Sequence, residues 1–210
     1  MHKLTTVFWD FDGVLMDSNK VRDIGFERVL RAYPEEQLAR LMAFHQRNGG
    51  LSRYVKFRYF FEEVLQTSVT DAQIAALSAE FSAVMKERLT DKKLLIEETI
   101  AYVSQYHQRY AMHVVSGSDQ TELRYLCKAL GIADYFASIH GSPTPKTELV
   151  QQLIRTHGYV PDHCVLIGDS INDYEAAKDN AVPFVAYNNP QLEAHASRSI
   201  QDVFAKPVKQ

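Results

Sequence analysis

The chain has 210 residues, with 23 Lys and Arg against 26 Asp and Glu, a formal charge of −3 at pH 7 and a pI near 6.2. It has no basic excess to neutralise phosphates, which excludes nucleic acid as its main partner. No apolar run approaches the ~20 residues of a membrane span, and with the first strand expected within a few residues of Met1, no signal peptide is expected. A cytoplasmic protein with no membrane contact is expected. Cys127 falls on a predicted helix and Cys164 on a predicted strand. Both read as buried thiols, since a disulfide would be unusual in that compartment. The eight histidines show no paired metal spacing and read as structural.

In chain order, short apolar runs predict strands over 4–10, 111–116, 135–140, 163–169 and 182–188. Helical patterns lie between them over 96–109, 118–130, 146–158 and 171–180, and a last helix is expected after about 190. Such alternation predicts an α/β, Rossmann-like doubly wound parallel sheet covered on both faces. The stretch 17–92 has no convincing strand. It reads as helices near 18–33, 35–46, 51–66 and 71–90, separated by turn signals at Pro34, Asn48-Gly49-Gly50 and Thr70-Asp71. Thr70 with Gln73 makes a capping box for the last of these. The chain thus divides into a core, 1–16 and 93–210, and an all-helical insert, 17–92.

Chemistry concentrates at the strand ends. Thr6-Val7-Phe8-Trp9-Asp10-Phe11-Asp12-Gly13 runs from an apolar strand into two carboxylates and a glycine turn. Two acids so placed repel each other unless a cation sits between them. A surface β-turn with polar caps is the alternative that Asp and Gly also favour. The pattern recurs at Val165-Leu166-Ile167-Gly168-Asp169-Ser170-Ile171-Asn172-Asp173, with Asp169 and Asp173 four apart. Four carboxylates at two strand ends suit Mg²⁺, which prefers oxygen ligands. Between these, Val114-Val115-Ser116-Gly117-Ser118 ends a strand in hydroxyls and a flexible turn. Pro143-Thr144-Pro145-Lys146 sets a lysine at a helix start, where the dipole disfavours a cation. Helix capping by Asp169, Asp173, Ser116 and Ser118 is the structural alternative.

The order DxDGV, SGS, Lys, GDSxND resembles the four motifs of the haloacid dehalogenase superfamily, in its phosphatase and β-phosphoglucomutase-like branch. The resemblance spans Asp10 to Asp173, with one departure: Lys146 follows its Pro-x-Pro segment, where many relatives place the lysine before it. It implies that Asp10 is a nucleophile forming an aspartyl-phosphate and that Asp12 is the acid and base. It implies Mg²⁺ held by Asp10, the Asp12 main chain and Asp169, with Asp173 supporting the set. Phe11, Ser116, Gly117 and Lys146 would grip the phosphoryl group. The helical insert resembles the family's cap domain.

The insert speaks more weakly. Tyr54, Phe57, Phe61 and Leu65 fall on one apolar face of the predicted helix 51–66. Arg53 and Lys56 share another face, either solvated or turned to the site to read a second anion. The expected partner is a small phosphorylated metabolite, such as a sugar phosphate. Alternatives are a phosphomutase, a phosphonate hydrolase using Lys56, and a catalytically silent phosphate-binding protein.

Overall fold

The computed structural model describes residues 3–204. Five parallel strands, β1 (Thr6–Trp9), β2 (Ala111–Asp119), β3 (Ser138–Ser142), β4 (Cys164–Gly168) and β5 (Phe184–Ala186), form one sheet in the order β3-β2-β1-β4-β5. Its helices are α5 (Glu97–Tyr106), α6 (Gln120–Leu130), α7 (Lys146–His157) and α8 (Ile171–Asp179), preceded in the insert by α1 (Asn19–Val29), α2 (Glu35–Arg47), α3 (Arg53–Tyr59) and α4 (Asp71–Arg88). A short α9 (Ile200–Phe204) follows a 3₁₀ turn at Pro190–His195. The expectation for the tail beyond Phe204 lies outside the described residues.

The period-two alternation of β1 sorts the core. Val7 and Trp9 pack into an apolar cluster with Tyr102 and Val103 of α5 and Leu123 and Leu126 of α6. Phe8 faces the opposite layer, with Leu149 and Val150 of α7 and Ala176 and Ala177 of α8. All three strand residues are fully buried, each contributing roughly 1.5–3 kcal/mol of burial free energy. Cys127 and Cys164 are both buried and free. Among the described residues no helix is long and apolar enough to cross a membrane.

Most elements match their expected positions within a few residues, and the Thr70–Gln73 capping box forms at the start of α4. The expected helix 51–66 is different. It runs as α3 only to Tyr59 and then opens into a π turn, Phe60–Val64, closed by the Leu65 amide on the Phe60 carbonyl at 3.0 Å. The wider turn shifts the buried face to Phe57, Phe60 and Val64, leaving Tyr54, Phe61 and Leu65 only half-buried. Arg53 and Lys56, at 4% and 3% exposure, belong to that same buried face. They do not form a separate solvated one.

Candidate active site

Strand register brings the motifs to one edge. Trp9 pairs with Ile167 on one side and Val114 on the other, so Asp10 and Asp169 emerge beyond the carboxyl ends of β1 and β4, next to Ser116 in the irregular last part of β2. This is where open parallel sheets place ligands. Gly13 turns the chain back with φ +76°, and a Cβ there would strike the Asp169 carboxylate. The Asn188 side chain donates to the Gly13 carbonyl at 2.9 Å and that of Asn189 to the Asp169 carbonyl at 2.8 Å, fixing both loops.

Carboxylate oxygens of Asp10, Asp169 and Asp173 lie within 4.8 Å of one another. Lys146, the first residue of α7, sends its Nζ to 2.9 Å from Asp10 Oδ1 and into a short contact with Asp173 Oδ1. The two acids are the reason that a cation occupies this helix start. Asp173 also accepts the Ser170 amide at 3.0 Å and the Ser170 hydroxyl at 2.7 Å through Oδ2, making a capping box for α8. The capping alternative is therefore correct for Asp173, which caps the helix and anchors Lys146 at once. It is not correct for Ser116 and Ser118, because Asp119 caps α6.

Two buried acids and the half-buried Asp169 against one ammonium leave an excess of negative charge. Burial, then the Asp173 charge, pushes Asp10 well above the usual carboxylate range, against the pull of Lys146. Burial and Asp173 likewise raise Asp169 to about 7, although Asn19 Nδ2 donates to it at 3.2 Å. A divalent cation would relieve this strain, and an all-oxygen set fits a hard one such as Mg²⁺.

Asp12 sits apart from that cluster. Its Oδ1 accepts Arg22 Nε at 2.9 Å and a short bond from the Ser18 hydroxyl, and its Oδ2 accepts Ser118 at 2.5 Å. Burial works to raise its pKa, but Arg22 and the Ser118 and Ser18 hydroxyls outweigh it and hold it at about 2. The Asp12 side chain thus stands outside the carboxylate cluster expected for a metal, and only its main-chain carbonyl is left to contribute. Phe11 buries its ring completely in the core, so its main chain alone is available at the site.

These groups open onto a cavity of about 730 Å³, whose lining includes Asp10, Asp12, Ser116, Gly117 and Asp169 below and Phe26, His45, Arg53, Lys56 and Phe81 of the insert above. The insert loop is seated directly on the core: a Cβ on Gly117 would run into the Gly50 carbonyl, and one on Gly50 into the Ser170 hydroxyl. Arg53 Nη1 donates to Glu122 at 2.6 Å and to Ser82 at 2.8 Å, with its guanidinium 4.4 Å over the Phe81 ring. Lys56 Nζ donates to the Gly49 carbonyl at 2.9 Å. Burial lowers its pKa to about 7, with Arg22 and Arg53 adding to this and Asp12 opposing.

A model of the haloacid dehalogenase-like hydrolases matches residues 4–180. The chain belongs to that family. No curated protein matches it, but solved structures share its fold. A predicted phosphoglycolate phosphatase from Haemophilus somnus is 18% identical, with a TM-score of 0.69, over 95% of this chain and 94% of that one. A complex of CbbY from Rhodobacter sphaeroides with xylulose-(1,5)bisphosphate is 15% identical, with a TM-score of 0.74, over 94% of each chain. A β-phosphoglucomutase from Clostridium difficile is 14% identical, with a TM-score of 0.73, over 94% and 90%.

Arg22, Glu122 and Asn19 join the site without a signal in the sequence that marks them, whereas Ser118 stands in the SGS motif but its bond to Asp12 does not show there. Arg22 looks like a surface residue of an amphipathic helix, and Glu122 like a first-turn acid favoured by the α6 dipole. Their burial is decided only by the insert closing on the core.

Proposed function

We propose that this protein is a Mg²⁺-dependent phosphomonoester hydrolase acting through an aspartyl-phosphate on Asp10. The observation that carries the reading is the three-carboxylate cluster with Lys146 at one sheet edge, opening onto a cavity that Asp12 also lines. An Asp10 oxygen attacks phosphorus, the ester P–O bond breaks, and Asp12, ionised at rest beside Arg22, passes to the departing oxygen a proton that it takes up from solvent as the ester binds. Asp12 then takes a proton from the water that cleaves the aspartyl-phosphate, freeing Asp10. The Ser116 hydroxyl, the amides of Phe11 and Gly117, and Lys146 hold the phosphoryl oxygens where charge accumulates. Asp10, Asp169 and the Asp12 carbonyl would hold Mg²⁺, which when bound would supply charge neutralisation between an anionic nucleophile and an anionic ester. Asp173 acts on Lys146 and on the α8 turn.

The insert, 17–92, serves as a cap that sets the substrate. Lys56 is the residue suited to reading a second anion. Among the described residues its ammonium donates one hydrogen bond, to a main-chain carbonyl, and the neighbouring Asp23 carboxylate is engaged by His45 at 3.1 Å. Arg53 is already spent on Glu122. A small phosphorylated metabolite with a second oxyanion fits this arrangement, and two free buried thiols suit the reducing cytoplasm.

Phosphate release across small phosphomonoesters, with Mg²⁺ or EDTA, tests the proposal. The expected result is metal-dependent turnover that disappears in Asp10→Asn. In Lys56→Met, KM should rise on the order of 10-fold for esters with a second anion and stay unchanged for singly anionic esters. Isomerisation of an ester without phosphate release would reassign the protein as a mutase, and no turnover in a Mg²⁺-binding protein would reject the reading.

A further inference from the structure

Glu122 has no exposed surface, yet it belongs to α6 of the core and takes both its bonds from the insert. Oε1 accepts a short bond from Arg22 Nη1, and Oε2 accepts Arg53 Nη1 at 2.6 Å. Arg22 continues to Asp12 through Nε at 2.9 Å. Two arginines and two carboxylates form one buried, charge-balanced chain from α3 through α6 and α1 to the first strand end.

We propose that Glu122 is a positioning residue for the reaction: it latches α1 and α3 of the insert to the core, and through Arg22 it fixes the Asp12 carboxylate in place. This rests on the phosphatase reading for the role of Asp12, though not for the latch itself. No other carboxylate is recorded as an ion-pair partner of Arg53 among the described residues, so without Glu122 its charge is buried and unpaired, which low-dielectric surroundings penalise heavily. Arg22 would keep Asp12 but lose the group that aims its guanidinium, and its Nη2 has no partner already. Tyr54 and Asp119 supply a second link across the same seam, at 2.7 Å between neutral hydroxyl and carboxylate. That link lies outside the chain leading to Asp12.

The test compares wild type with Glu122→Gln, which keeps the shape and removes the charge. Hydrogen exchange of α1 and α3 amides reports the latch without reference to activity. The kcat/KM for an alkyl phosphate and for p-nitrophenyl phosphate reports the positioning, because the nitrophenolate departs with little need of a proton. The expected result is faster exchange, with a loss on the order of 100-fold for the alkyl ester and a much smaller loss for the nitrophenyl ester. Adding Arg53→Met to Glu122→Gln restores charge balance and should slow the exchange again. Unchanged exchange overturns the latch, and equal losses on the two esters overturn the positioning role. If Glu122→Gln does not fold, Glu122→Asp keeps the charge with a shorter reach, and the same two readouts decide. A wild type that releases no phosphate from either ester would reject the phosphatase reading and the positioning role together, leaving the exchange data to judge the latch alone.

Discussion

Two buried charge clusters lie side by side in this molecule and are built on opposite principles. At the strand ends, Asp10, Asp169 and Asp173 face a single lysine, and burial with mutual repulsion raises the pKa values of Asp10 and Asp169. Across the seam with the insert, Asp12 and Glu122 face Arg22 and Arg53, and their carboxyl pKa values are held down. With all three acids ionised the first cluster carries a net charge of −2, which a divalent cation would cancel. The second is neutral by itself. A ligand site must keep an imbalance for its ligand to cancel, whereas a clasp must leave nothing unpaired.

The most severe way to break the contrast is Asp10→Asn. Phosphate release should fall by about 10³-fold or more, while thermal stability in EDTA should hold or rise because a buried repulsion has been removed. A large loss of stability in EDTA would mean that the first cluster is a clasp too. Arg53→Ala attacks the other side. It leaves Glu122 half-paired in the interior and should cost about 3–5 kcal/mol in urea unfolding, with Mg²⁺ affinity unchanged.

A subtler probe is the metal itself. Mg²⁺ at 100 times its Kd should stabilise the wild type by about 2.7 kcal/mol, or roughly 5–10 °C in Tm for a chain of this size. Asp169→Asn should abolish that shift and Arg53→Ala should leave it intact. If both variants respond alike, the two clusters are one unit.

A pH effect lies away from both. His113 is buried between Ser138 at 2.7 Å and the Tyr159 hydroxyl at 2.9 Å. Burial, with His157 and His140 nearby, lowers its pKa from 6.5 to about 4. The unfolded chain takes up a proton below about pH 6.5 that the folded chain refuses until about pH 4. The His113 contribution is therefore fully present above 6.5 and is lost as pH falls between those values. Denaturant titrations from pH 7 to pH 4 should show a shallower decline in His113→Gln.

Much of the architecture was legible from local pattern alone. Alternating apolar runs and helical periods placed the five strands, and the acids and serines stood at strand ends because a parallel sheet exports its carboxyl termini to one edge. The structure departs from the expected helix 51–66 in its second half, because a π turn is chosen by how Phe57, Phe60 and Val64 pack and not by spacing. Arg53 and Lys56 were ambiguous for a related reason. Charge at helical spacing looks the same whether the face meets water or another body.

The sequence by itself determined which residues carry charge and hydroxyls, where they fall relative to strand ends, and which segments are helical, since these follow from covalent order and short-range periodicity. Only the tertiary structure decided which carboxylate meets which cation. Glu122 lies 100 residues from Arg22 and 69 from Arg53, and Asp12 lies 106 from Ser118. Such pairings come from the insert closing on the core, where burial removes the water that would otherwise satisfy each charge separately.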